Sequence, residues 1–265
     1  MSLMSDSPVP AKNDLPTMIA VSALACILQD VLHEGLGHGV TAWLSGARQI
    51  TMSTVALQSD IETRWISANG TLVNLLAAAI LWILLLRPQR YRPVTLYFLV
   101  LCLAGNLFTA TGYFFFSGVA NFGDWAAVIA GLHPHWIWRV GLIVLGVVTY
   151  YASMLLVAAK LRPFKEHDPH SHMLRSICWT PYFTDALLAA VAGVLNPAGL
   201  FYVIASALPS TLGANAGLLS LPSLMRDSNR DEPIIIPRST GWIVSGAIAS
   251  LLFIFVLGRG ISWTH

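Results

Sequence analysis

The stretch Gln29-Asp30-Val31-Leu32-His33-Glu34-Gly35-Leu36-Gly37-His38-Gly39 sits inside an apolar run that opens at Pro16 and reaches about Leu44. Two imidazoles and a carboxylate in such a run are expensive in lipid unless they serve a purpose. Two histidines flanking a glutamate on one helical segment can hold a zinc ion, with the glutamate placed to take a proton from a water on the metal. In the His-Glu-x-x-His arrangement the histidines are four apart, roughly 40° around a helix. Here they are five apart, roughly 140° on an ideal helix, which points the rings at different faces.

Gly35, Gly37 and Gly39 interleave the histidines, and glycine accepts backbone geometry that other residues resist. A single wide turn, a π-bulge, absorbs one extra residue and is common at functional sites. Such a turn at Gly35 or Gly37 is expected to bring His38 back beside His33. The spaced pattern His-Glu-x-x-Gly-His resembles the zinc motif of the dipeptidyl peptidase III family, although nothing else in the chain looks like that soluble enzyme. The competing reading is a pair of buried, hydrogen-bonded histidines in a glycine-rich packing seam.

The surrounding composition sets the class. The chain is 55% hydrophobic and only 11% charged, with mean hydropathy +0.66, whereas soluble domains carry about 25% charge. An all-α polytopic membrane protein follows, with the lipid bilayer as its solvent. A net charge of +2 gives no basis for nucleic acid binding. Cys26, Cys102 and Cys178 are odd in number and lack metal or redox spacing, so they read as buried thiols. Residues 1–15 form a polar tail without a basic n-region or small-residue cleavage site, and are expected to remain in the mature chain.

Residues 16–265 read as a single transmembrane domain of about six helices. Pro16 to about Leu44 is the first; its 29 residues span roughly 43 Å as straight helix against an apolar core of about 30 Å. Gln49 to Leu57 alternates in part and is expected to form a short strand or β-hairpin. Further crossings are expected at about Ser67–Leu86, Val94–Ser117, Trp136–Ala159, Tyr182–Leu208 and Gly241–Leu257. The break Gly118-Val-Ala-Asn-Phe-Gly-Asp124-Trp125 suggests a bend or re-entrant turn carrying Asp124, because irregular backbone at depth survives only in protein or around a cavity. Asn196-Pro197 suggests a kink, and residues 209–225 a re-entrant segment or an extra crossing.

These features resemble the site-2 protease family of intramembrane zinc metallopeptidases. The motif at His33–His38, followed by Gly-Val-Thr-Ala-Trp-Leu-Ser-Gly-Ala, resembles that family's first core helix. Asn69-Gly70-Thr71-Leu72-Val73-Asn74 resembles its Gly-Pro-x-x-Asn segment, with Thr71 where proline is usual. Gly123-Asp124-Trp125 stands where the family has Leu-Asp-Gly. The resemblance covers residues 16–130 and leaves 131–265 as additional helices. It implies that His33 and His38 are zinc ligands, Glu34 the general base, Asp124 the third ligand and Asn74 a holder of the substrate backbone. Asp185, His133 and His135 are rival third ligands, and Asp30 is a candidate to orient a ligand from behind.

The function so implied is hydrolysis of peptide bonds in membrane-embedded protein or peptide substrates through a zinc-bound water, in a bacterial cytoplasmic membrane. Two other readings remain open. One is a non-catalytic metal-binding, transport or assembly subunit on a degenerate protease scaffold. The other is a membrane di-iron oxygenase, with His133, His135, His167, His170 and His172 as further boxes. Basic clusters at Arg87/Arg90/Arg92 and Lys160/Arg162/Lys165/Arg175 fall on one side of a six-crossing chain. The positive-inside bias makes that side cytoplasmic and puts both termini there, unless 209–225 adds a crossing.

Overall fold

Asp14 starts the first helix: its carboxylate accepts from the Thr17 amide at 3.0 Å and the Thr17 hydroxyl at 2.6 Å, and Pro16 lies in the first turn. In this computed structural model, which describes residues 12–165, 172–196, 212–225 and 233–264, that helix (α1) is continuous over Leu15–Leu44. It is α-helical over Leu15–Asp30, π-helical over Val31–Gly39 and α-helical again over Val40–Leu44. A hairpin follows, β1 (Gln49–Met52) and β2 (Leu57–Ser59). Then come α2 (Arg64–Leu84), α3 (Pro93–Ala120), the short α4 (Asp124–Ile129), α5 (His135–Leu161), α6 (His172–Val194) and α7 (Gly217–Leu224). The last helix, α8 (Thr240–Leu252), continues in π form to Leu257 and leads into β3 (Ile261–Thr264).

Among the described residues, six helices are long and apolar enough to cross a membrane. The chain is an all-α polytopic membrane protein, and the one small sheet among the described residues has the order β2-β1-β3. The hairpin after the first helix lies where alternation places it. The third strand has no such signal, because Ile261-Ser-Trp-Thr264 is short and takes its order from pairing with β1.

Helix α3 is the most enclosed of the six spans. Tyr97, Phe108, Leu103 and Cys102 on it are fully buried among α1, α5, α6 and α7. Its closest neighbour is α5. A Cβ on Gly118 would stand 2.8 Å from the Arg139 carbonyl, and one on Gly146 would overlap the Phe115 backbone. Small residues thus set this helix spacing, as is common where lipid supplies no hydrophobic drive between helices. Leu76, Ile80, Ile83, Val144, Val148 and Leu251 are exposed and suit a lipid-facing surface.

The fifth span starts earlier than its hydropathy suggests: α6 begins at His172, not near Tyr182. Leu174, Ile177 and Cys178 pack into the core, and the Tyr97 hydroxyl donates to the Ile177 carbonyl at 2.7 Å, so burial extends the helix through its polar first turns. Residues 197–208 of the expected span, with Pro197 of the expected kink, lie outside the described residues.

The placing of both termini on one side is overturned. Helices α1 and α8 start together: the Asp14 amide donates to the Ile236 carbonyl at 2.9 Å and the Ser239 amide to Thr17 Oγ1 at 3.0 Å. They also end together, because β3 pairs antiparallel with β1, the strand that follows α1. The two helices are therefore parallel, and the chain begins at one face (the near face) and ends at the opposite, far face. Helix α6 ends towards the far face, where Ala192 packs with Phe253. By Met225 the chain is back at the near end, where the Lys165 ammonium donates to the Met225 carbonyl at 3.2 Å. The extra passage allowed for at 209–225 is therefore present. Its described part includes α7, which is too short and too rich in Gly and Pro to register as a span.

Candidate metal centre

His33 and His38 both belong to the nine-residue π-helical stretch Val31–Gly39. At its end the Val40 amide donates to the Gly35 carbonyl, five residues back. In a helix of that form residues five apart face the same way. One wide turn was expected, and the geometry is spread over the whole segment.

The ring orientations are fixed by what stands behind each. His33 Nδ1 is 2.5 Å from Asn74 Oδ1, and His38 Nδ1 is 2.6 Å from the Ile66 carbonyl. The Asn74 amide cannot turn round, since its Nδ2 donates to Asn106 Oδ1 at 2.7 Å while Asn106 Nδ2 donates to the Cys102 carbonyl at 2.8 Å. Amide and carbonyl oxygens only accept, so each Nδ1 carries the ring proton and each Nε2 presents a lone pair. A relay of this kind behind a histidine is what orients metal ligands.

Asp124 joins them from a separate element. Its Oδ2 lies 3.1 Å from His33 Nε2 and 3.3 Å from His38 Nε2, and the two Nε2 atoms are 3.2 Å apart. Three acceptors thus meet with no proton between neutral rings. Ligand atoms of a tetrahedral zinc with bonds of 2.0–2.1 Å stand about 3.3 Å apart, so the three side chains fit one face of such a site as they are. Among the described residues this is the one group of three His, Cys, Asp or Glu side chains close enough to share an ion.

The chain break before Asp124 is sharp. Asn121 closes α3 in the left-handed conformation at φ 52° and Gly123 follows at φ 82°, a value that favours glycine. Asp124 is then the first residue of α4 and makes no capping bond. Two contacts pin α4: Trp125 Nε1 donates to Thr71 Oγ1 at 2.9 Å, and Arg64 Nη2 to the Ala130 carbonyl at 2.6 Å. Thr71, where the resembled motif has proline, is therefore an anchor of the helix that Asp124 opens.

Close backbone approach completes the site. A Cβ on Gly37 would lie 2.5 Å from Gly70 Cα, and one on Gly70 would lie 2.5 Å from His38 Nε2 and 2.7 Å from His33 Cε1. The glycine seam and the histidine cluster are thus one feature. Sequence reasoning missed Gly70, Thr71, Trp125, Arg64 and the Ile66 carbonyl as supports. The indole and hydroxyl of a Trp/Thr pair on separate helices carry no spacing signal, and a backbone carbonyl carries none at all.

The rivals stand elsewhere. Asp185 accepts from Cys26 Sγ at 2.5 Å and from Asn215 Nδ2. His135 Nε2 lies 2.9 Å from Asn121 Oδ1, and neither it nor His133 joins the cluster. His167, His170 and the His172 side chain lie outside the described residues. Asn74 is fully buried behind His33, with its amide engaged, and is not among the residues that border the cavity.

That cavity, about 1050 Å³, is bordered by Glu34, His38 and Asp124 on one side. Phe115, Phe116, Val147 and Tyr151 also line it, as do Leu57, Gln58 and Ser59 of β2. Glu34 is 7% exposed, and its Oε2 has no hydrogen-bond partner. A buried carboxylate oxygen left open beside three converging ligand atoms is suited to receive a proton. No family model, no curated protein and no solved structure matches the chain.

Proposed function

We propose that this protein is an intramembrane zinc metallopeptidase-like hydrolase acting on membrane-embedded protein or peptide substrates. The observation that carries the reading is the meeting of two oriented imidazole lone pairs and a carboxylate at zinc-ligand spacing, on a cavity that also holds the open carboxylate of Glu34. The N,N,O donor set suits zinc. His33, His38 and Asp124 would hold the ion, which supplies Lewis acidity toward a carbonyl and a water. Glu34 accepts the proton released as water adds to the peptide carbon, then returns it to the departing amine as the C–N bond breaks.

The cavity favours an extended, largely apolar segment. Its walls are aromatic and aliphatic, and the outer edge of β2, whose residues line it, is unpaired among the described strands. An edge strand offers a peptide backbone hydrogen bonds independent of its sequence. Orientation follows from charge. Among the described residues, nine basic ones lie at the near end of the bundle (Lys12, Arg87, Arg90, Arg92, Lys160, Arg162, Lys165, Arg175, Arg238) and four at the far end (Arg48, Arg64, Arg139, Arg259). The positive-inside bias makes the near face, with the N-terminus, cytoplasmic.

The test is metal content together with cleavage of an apolar helical reporter by the detergent-solubilised chain. Glu34→Gln is expected to keep one zinc per chain and to slow cleavage about 10²–10⁴-fold. Equal cleavage by the variant would overturn the role of Glu34. Zinc without cleavage in the unmodified chain would leave a metal-binding subunit.

A further inference from the structure

The cavity beside the metal centre has two unlike halves. Towards the far face it is lined by Gln58 and Ser59 of β2 and by Glu62 and Ser67 around the start of α2. Towards the near face it continues between α3, α5 and the chain entering α7, past Tyr150, Met154, Ala214 and Gly217. Ring contacts along α3 give the levels. His33 stacks on Tyr113 with ring centroids 5.0 Å apart, whereas Tyr150 packs on Phe108 at 5.2 Å. Phe108 lies five residues closer to the near face than Tyr113. The second half therefore reaches about 8 Å deeper than His33, from the rise of an α-helix.

The wall of this deep half is braced from outside the space it encloses. The Tyr150 hydroxyl donates to the Ala214 carbonyl at 2.5 Å and accepts from the Gly217 amide at 2.8 Å, which ties α5 to the chain entering α7. The Asn215 amide donates in the other direction, to Asp185 of α6. A Cβ on Gly217 would stand 2.8 Å from Tyr150 Oη and 3.3 Å from Met154 Cγ, so a side chain there would force the wall apart. Val147 and Tyr151 line the cavity and are nonetheless 53% and 55% exposed. The space thus opens sideways, on the lipid-facing flank of α5.

We propose that the deep half is a subsite for large apolar side chains of a membrane span, so that the bond cut lies where the span's apolar part meets a more polar stretch leading to the far face. This rests on the hydrolase reading and names its substrate class. Continuity identifies the occupant: the deep half runs without a break into the space beside His38 and Asp124, and from there to β2. An unpaired strand edge binds a polypeptide backbone and gives nothing to an acyl chain. The depth agrees. His38 stands six residues before Leu44, the end of α1, about 9 Å along the helix axis. Exposed Trp43, Trp65, Trp136 and Trp138 sit at the far ends of their helices, as interface residues do. A depth of about 8 Å accommodates two to three extended residues. Selectivity therefore falls on the two or three positions on the membrane side of the bond, with Met154 and Gly217 setting the size accepted.

The experiment uses the full zinc-loaded chain in detergent with single-span reporters, and maps the cut by mass. Replacing Leu by Ser two and three positions on the membrane side of the cut is expected to lower kcat/KM about 10-fold or more, and the same change on the far side to do much less. Ser220→Trp, at an exposed position lining the deep half, should shift the preference there from Leu to Ala. Equal kcat/KM for the Leu and Ser reporters, or a preference unmoved by Ser220→Trp, would overturn the subsite while leaving the hydrolase reading intact. A second arm reads binding without cleavage. In Glu34→Gln, a benzophenone side chain is moved along the reporter and its crosslinks are mapped. One position should reach β2, and a position two to three residues deeper should reach 150–154 or 214–220. Crosslinks to the hairpin alone would overturn the subsite and leave the deep half to an acyl chain. Crosslinks at both places, with no reporter cut by the unmodified chain, would uphold the subsite and overturn the hydrolase reading.

Discussion

His33 Nδ1 and Asn74 Oδ1 lie 2.5 Å apart in the fully buried layer between α1 and α2, and this contact determines which nitrogen of His33 faces Asp124 and His38. Without an acceptor at position 74 the ring can protonate on either nitrogen and rotate. Asn74→Leu, of similar size, is expected to weaken zinc binding about 10–100-fold, as read by titration against a competing chelator. If Asn74 held substrate instead, zinc affinity would stay unchanged and only KM would rise.

The Gly37/Gly70 contact gives a prediction that the π-helix alone does not. A Cβ on Gly35 meets only the flexible end of Met52 at 3.4 Å and Val31 at 3.8 Å, an ordinary contact. A Cβ on Gly70 enters the space of both imidazoles. Gly35→Ala should therefore retain zinc. Gly70→Ala should lose most of it while still inserting in the membrane, which elemental analysis of the purified variants checks. Loss of zinc in both would shift the explanation from crowding to the helix form.

Much of this was legible in the sequence because lipid makes each polar residue informative. His33, Glu34 and His38 stand out in an apolar run, and the glycines between them indicate a wide turn. Asp124 stands out because glycine and asparagine break an apolar pattern just before it. What was not legible depends on packing between distant segments. The role of Asn74 turns on which side of α2 meets α1, and periodicity alone does not say so. The passage through 212–225 is hidden because its described helix has only eight residues and contains Pro222. Strand β3 takes its conformation from β1, some two hundred residues earlier.

Two acids competed for the third ligand position, and the geometry separates them. Asp124 stands 3.1 and 3.3 Å from the two Nε2 atoms, whereas Asp185 is engaged with Cys26 and Asn215. Asp124→Ala is expected to reduce zinc to well below one per chain. Asp185→Asn should leave zinc stoichiometry intact. Trp125→Phe removes only the bond to Thr71 and should fall between them, with full zinc at saturation but weaker affinity. Unchanged zinc in Asp124→Ala would remove Asp124 from the site.

The parallel course of α1 and α8 sets the last prediction, which concerns the ends of the chain. Arg238, just before α8, stands 3.9 Å from Asp14 at the start of α1, and Thr51 of β1 shares a hydroxyl contact of 2.8 Å with Ser262 of β3. One helix pair therefore carries both termini to opposite faces, whatever the path between. A six-crossing chain cannot do this, since an even number of passages returns to the starting side. Single cysteines introduced beside Arg90 and beside Arg259, in a background with Cys26, Cys102 and Cys178 replaced, should react with a membrane-impermeant maleimide from opposite sides of sealed vesicles. A cysteine at Ser239 should behave like the one beside Arg90. Labelling of the Arg90 and Arg259 positions from the same side would break the β1/β3 pairing and restore the even count. Opposite labelling would require the additional passage between Asn196 and Met225, and would place the metal centre nearer the face on which the chain ends.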